Sequence, residues 1–216
     1  MSFELMSGAE ARWTNEPGRC AVVCVNGGTA AEVPGTWSSS LEWLVQRLAS
    51  RFPGLGFLEV RYRTKSWRRL ELCIEDARSA IEAARGAGGE EIALLGYSMG
   101  GAVAVRTAGD PAVRSVIALA PWLYPQLDLA PLARRRLAVV HGSLDRGLPG
   151  IPGVRPALSL DGYQRARRLG VDAVRTVIPF ASHAIALRSP TGRPVGLPRA
   201  QRWAELVAEE LERFCA

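Results

Sequence analysis

The sequence predicts an α/β fold: a single domain over residues 1–216, with a mainly parallel sheet and helices on both of its faces. Three observations predict it. Apolar runs of strand length, rich in Val, Ile and Leu, recur along the chain. Helical periods fall between them. No internal repeat, low-complexity tract or linker-like shift of composition divides the chain.

The elements follow in order. Cys20–Val25 is apolar at consecutive positions, the pattern of a strand buried on both faces. Leu41, Leu44, Val45 and Leu48 then share one helical face, and Ser39 with Glu42 has the spacing of a capping box at its start. Phe57–Tyr62 is the next strand. Leu70, Ile74, Ala77, Ile81 and Ala84 form a second helical stripe, with Glu71, Glu75 and Glu82 turned toward water. Glu91–Gly96 is a third strand, and the helix after Ser98 stops at Gly109-Asp110-Pro111. Arg114–Ala120, Leu137–His141 and Ala173–Ile178 complete the strands. Trp203, Leu206, Val207, Leu211 and Phe214 recur at helical spacing in the last helix. Strand and helix alternating in this way give parallel pairing, with the ligand site at the carboxyl ends of the strands.

Composition narrows the function classes. Apolar residues make up 48% and charged residues 22%, which excludes a disordered or fibrous chain. The longest uncharged apolar run, Ser115–Leu127, is broken by Pro121 and Pro125 and is too short to cross a bilayer. The first residues lack a basic stretch followed by an apolar core, so no signal peptide is expected, and the cytoplasm is the default location. The net charge of +6 comes almost wholly from arginine, since Lys65 is the only lysine. The arginine runs at 61–69, 134–136 and 165–168 lie in separate segments without a binding module, so no nucleic-acid partner is expected. Cys20, Cys24, Cys73 and Cys215 show no metal-ligand spacing and read as buried thiols in a reducing compartment.

The strongest motif is Gly96-Tyr97-Ser98-Met99-Gly100-Gly101, between a strand and a helix. G-x-S-x-G in that setting is a sharp turn that leaves a serine hydroxyl exposed. Such a hydroxyl needs a base within hydrogen-bond reach. Of the two histidines, His183 follows the last strand and every acidic candidate, and a Ser…Asp…His order selects it. His141, at the end of its strand, reads as a structural histidine. Asp145, in a Gly-containing turn four residues past a strand end, is the favoured acid, and Asp128 is its competitor. Asn26-Gly27-Gly28-Thr29 follows the first core strand and can turn backbone N–H groups into a cleft. The N–H of Met99 with that of Gly28 or Thr29 would hold an oxyanion. The chain contains neither GxGxxG nor GxxxxGK[ST], so the Gly-Gly loop is not a phosphate cradle of those kinds.

On GYSMGG, VNGG, VVHGSLDRGLP and FASHAI the chain resembles the α/β-hydrolase family, from about Cys20 to the C-terminus. The resemblance is to a small, cap-less serine esterase or dienelactone-hydrolase-like member. It implies a Ser98–His183–Asp145 triad and no metal or organic cofactor. Asn26 departs from the histidine many members carry before the first loop glycine, and organises the loop rather than doing chemistry. The two leading antiparallel strands of the family look shortened, since about twenty residues precede the first core strand. Residues 121–136 are too few for a cap domain, so the site is expected to be open. Trp37, Trp67, Trp122 and Tyr124 fall in loops at the strand ends and are expected to line an acyl or aromatic pocket. Two Pro/Gly-rich segments, Gly147–Pro156 and Ser189–Pro198, cannot be regular helix or strand and are expected to border the cleft.

The function implied is cleavage of a small ester, thioester or lactone through an acyl-enzyme, with a small acyl molecule as the partner. Two rivals share the residues: an acyltransferase or cyclase that excludes water, and a binding protein of the same fold that does not turn over. Neither leaving group nor oligomeric state follows from the sequence.

Overall fold

A computed structural model describes residues 1–146 and 153–216. The main sheet has eight strands: β1 Ser2–Glu4, β2 Glu10–Thr14, β3 Cys20–Val25, β4 Gly56–Arg61, β5 Glu91–Tyr97, β6 Val113–Leu119, β7 Arg136–Gly142 and β8 Asp172–Ile178. They lie in the order β1-β2-β4-β3-β5-β6-β7-β8. β1 and β2 run antiparallel to their neighbours and are short, while β4 through β8 pair in parallel.

The consecutive apolar positions explain why helices cover both faces. In β3, Val23 and Val25 enter one core while Val22 and Cys24 enter the other, the period of two that a pleated strand imposes. The first core is closed by α2 (Leu70–Gly86), α3 (Met99–Thr107) and α4 (Pro156–Arg168). The second is closed by α1 (Ser39–Arg51) and α5 (Ala200–Cys215), with Trp203 among its largest fully buried side chains. Among the described residues, no helix is long and apolar enough to cross a membrane.

Several expectations need correction. The cap of α1 is Ser38, whose Oγ accepts from Leu41 N at 3.3 Å. Glu42 does not turn back to complete a box on Ser39, because its carboxylate is taken by Arg12 (3.2 Å) and Arg188 (2.8 Å). Helix α4 has no apolar stripe to announce it: its buried residues are Ser159, Gly162 and Ala166. Pro156, read as part of an irregular segment, sits in its first turn, where a missing N–H costs nothing. The rest of that segment, residues 147–152, lies outside the described residues. Ser189–Pro198 is not irregular throughout. Pro194–Gly196 forms β10, paired antiparallel with β9 (Ala186–Arg188), and the hairpin packs on α1. Proline is tolerated there because it starts an edge strand. Of the thiols, Cys24 and Cys73 are buried, Cys20 is half-buried and Cys215 is exposed. They are not four buried groups.

The arginine runs are largely engaged within the chain. Arg63 binds the buried Asp76, Arg136 binds Glu210 and Asp172, and Arg165 donates to the carbonyls of Tyr124 and Leu127. Between β6 and β7 the chain makes only a loop and one 3-10 turn at Ala130–Leu132, with no inserted cap.

Candidate active site

Ser98 alone joins β5 to α3. Its backbone is at φ 57°, ψ −119°, a region that costs a non-glycine residue of order 1–3 kcal/mol. Three backbone hydrogen bonds hold it there: Ser98 N donates to Leu119 O (2.9 Å), and Ser98 O accepts from Gly101 N and Trp122 N (3.0 Å each). The turn is so tight that a Cβ at Gly100 would overlap the carbonyls of Val25 and Asn26. Gly100→Ala is therefore expected to destabilise the fold by about 1–3 kcal/mol or more, read as a lower midpoint in thermal melting.

β7 and β8 deliver the partners. The imidazole Nδ1–H of His183 donates to Asp145 Oδ2 at 2.7 Å, and the Ser98 hydroxyl lies 3.0 Å from His183 Nε2. The carboxylate accepts at Nδ1, so the proton belongs there and Nε2 presents a lone pair to the serine. Tyr97 backs the ring at 5.2 Å between centroids, and its hydroxyl donates to His183 O at 3.2 Å. Burial raises that phenol, so it remains a donor. Ser98 and His183 keep 6% and 7% of their surface exposed, enough for a small molecule to touch, while Asp145 is fully enclosed. Asp128 is elsewhere: exposed, it accepts from Ala130 N at 2.9 Å and caps its own loop.

Asp145 has more partners than the sequence suggests. Its Oδ1 accepts from Val154 N at 2.9 Å. His141, fully buried, places Nε2 2.8 Å from Asp145 Oδ2 and 2.8 Å from Val154 O. The structural reading of His141 is thus incomplete, because its ring reaches the same carboxylate oxygen as His183. Burial would raise the Asp145 carboxyl, but the hydrogen bonds from His141 and then His183 outweigh it and hold the group below the usual carboxylate range.

The loop after β3 faces the serine from the other side. Asn26 organises it: Oδ1 accepts from Gly27 N at 2.7 Å and Nδ2 donates to Thr36 O at 2.9 Å. Gly28 sits where a Cβ would meet Trp67 Cδ1 at 2.7 Å and overlap the Met99 sulfur. Met99 N begins α3 and so has no partner within the helix. The Thr29 hydroxyl turns away, donating to Ala31 O at 2.7 Å.

Three of the four aromatic residues come together. Trp67 and Trp122 stack at 6.1 Å between ring centroids, and Tyr124 lies 4.5 Å from Trp122. Both tryptophans are tied to the site by backbone, Trp67 N to Thr29 O at 2.9 Å and Trp122 N to Ser98 O. These rings pack on the α2/α3 core, whereas Tyr97, beneath His183, packs on the α1/α5 core. The aromatic wall and the imidazole therefore flank Ser98 from opposite faces of the sheet. Trp37 is not part of this wall: its ring lies by Arg12 (4.3 Å) of β2 and Arg61 (5.9 Å) of β4. Among the described residues, no group of three or more His, Cys, Asp or Glu side chains is placed to hold a metal ion.

Comparison with known proteins agrees with this architecture. Residues 22–213 match the sequence model of the alpha/beta hydrolase family. An alpha-beta serine hydrolase homologue from Coxiella burnetii is 17% identical, superposes with a TM-score of 0.70, and the match covers 98% of this chain and 96% of that one. A dienelactone hydrolase from Anabaena variabilis is 18% identical with a TM-score of 0.65, covering 99% and 96% of the two chains. An esterase from Pyrococcus furiosus is 14% identical with a TM-score of 0.70, covering 100% and 91%. These likenesses concern the fold. No curated protein matches the chain by sequence.

Proposed function

The chain belongs to the alpha/beta hydrolase family, and from that premise we propose that it is a serine hydrolase acting on a small ester, thioester or lactone. The observation that carries the reading is the hydrogen-bonded line from Asp145 through His183 to the strained Ser98. Ser98 Oγ attacks the acyl carbon while its proton passes to His183 Nε2. The Asp145 carboxylate holds the imidazole in the required tautomer and stabilises the imidazolium. Charge developing on the carbonyl oxygen is met by the N–H of Met99 together with that of Gly28 or Thr29. His183 then returns the proton to the leaving oxygen or sulfur, the acyl–Oγ ester forms, and water repeats the sequence to free the acid.

The substrate is a small acyl molecule, and the enzyme works in the reducing cytoplasm, a setting its free thiols suit. Trp67, Trp122 and Tyr124 form the apolar wall of its pocket. Trp122→Ala is accordingly expected to lower kcat/KM for apolar and aryl esters by about tenfold, chiefly through KM, in steady-state assays.

The test is a panel of acyl esters and thioesters of graded chain length, with and without added alcohol, amine or thiol. Free acid as the main product supports the proposal. Transfer to the added acceptor as the main product would make the protein an acyltransferase. Stoichiometric labelling by a fluorophosphonate without turnover of any substrate would make it a binding protein.

A further inference from the structure

Asp145 sits on a turn, and a turn is a poor platform for a group that must orient an imidazole. What steadies it is a closed ring of contacts. Asp145 Oδ1 accepts from Val154 N, Asp145 Oδ2 lies 2.8 Å from His141 Nε2, and the same Nε2 lies 2.8 Å from Val154 O. Both neighbours of Nε2 are acceptors, so that nitrogen carries the hydrogen; it donates to Val154 O, with Asp145 Oδ2 equally close. His141 Nδ1 is buried and has no hydrogen-bond partner among the described residues.

The ring's anchor is rigid. His141 lies in β7, inside the parallel ladder and opposite Val177 of β8. It is the last residue but one of that strand, four before Asp145. A carboxylate rotates freely about its last torsion unless both oxygens are held. Val154 N holds one, and on the other His183 Nδ1–H donates while His141 Nε2, itself fixed by Val154 O, stands 2.8 Å away.

We propose that His141 is a positioning residue for the hydrolysis, fixing the plane of the Asp145 carboxylate so that Oδ2 meets His183 Nδ1. This rests on the Ser98–His183–Asp145 reading above. His141 touches no reacting atom. Its effect passes through Asp145, so it should appear in kcat and not in KM.

Three variants separate this role from simple packing. Glutamine places an amide N–H where Nε2 stands, asparagine places one at the Nδ1 distance only, and leucine fills volume without a donor. Wild type is first shown to be labelled by a fluorophosphonate and to turn over its preferred ester; failure there would end the hydrolase reading itself, and this proposal with it. The proposal expects His141→Leu to lose about 10- to 100-fold in kcat with KM within about twofold. His141→Gln should regain most of that loss and His141→Asn should not. Folded His141→Leu with unchanged kcat would overturn the proposal, as would equal losses in all the variants. If the leucine variant does not fold, the Gln/Asn comparison decides alone: Gln active and Asn impaired supports the role, and equal activity overturns it.

Discussion

Ser98→Ala is expected to abolish fluorophosphonate labelling and to lower kcat on the order of 10⁶-fold, leaving the circular dichroism spectrum unchanged. The size follows from the geometry. Among the described residues, Ser98 is the one hydroxyl that lies 3.0 Å from an imidazole nitrogen whose other nitrogen is held by a buried carboxylate. Removing Oγ removes the proposed nucleophile, while the wall of the site and the backbone donors stay in place. The melting midpoint should not fall, because alanine leaves the elbow's three backbone hydrogen bonds intact.

Asp145→Asn is expected to cost on the order of 10⁴ in kcat, and Asp128→Asn less than about twofold. At position 145 an amide can accept through only one atom, so the His183 tautomer that leaves Nε2 free for the serine is no longer favoured. Stability should respond as well. The folded Asp145 carboxyl titrates below its unfolded value of about 3.9, so its charge stabilises the fold above that pH, and the contribution is lost as pH falls through the folded value. Melting midpoints of the asparagine variant should therefore fall less steeply than wild type when the pH is lowered from about 5 to 3. Equal slopes would remove Asp145 from the account of acid stability.

How much was legible beforehand depended on whether a feature is local. The elbow is local: Gly96 and Gly100 must flank Ser98 at that spacing because backbone passes too close for a side chain at either, so the sequence pattern and the turn are the same fact. Strands read well because burial on both faces leaves consecutive apolar residues, as in β3. The acid was ambiguous because both Asp128 and Asp145 follow strands, and spacing does not say which way a carboxylate points. The His141 contact is only weakly encoded locally, since it depends on Val154 returning to the turn after Asp145. The i, i+4 spacing of His141 and Asp145 was the available signal. Trp37 misled for the opposite reason. Its loop position resembles that of Trp67, but Arg12 and Arg61, distant in sequence, draw its ring over the β2/β4 pair. Helix α4 leaves little trace in the sequence because it buries small residues, and small residues carry little hydrophobic periodicity.

The most direct measurement is the intact mass of the protein after fluorophosphonate treatment, followed by peptide mapping of the adduct. A Ser98 nucleophile gives one adduct per chain, on Ser98, and none on the Ser98→Ala variant. An adduct on another residue, or an unmodified chain after prolonged exposure, would contradict it.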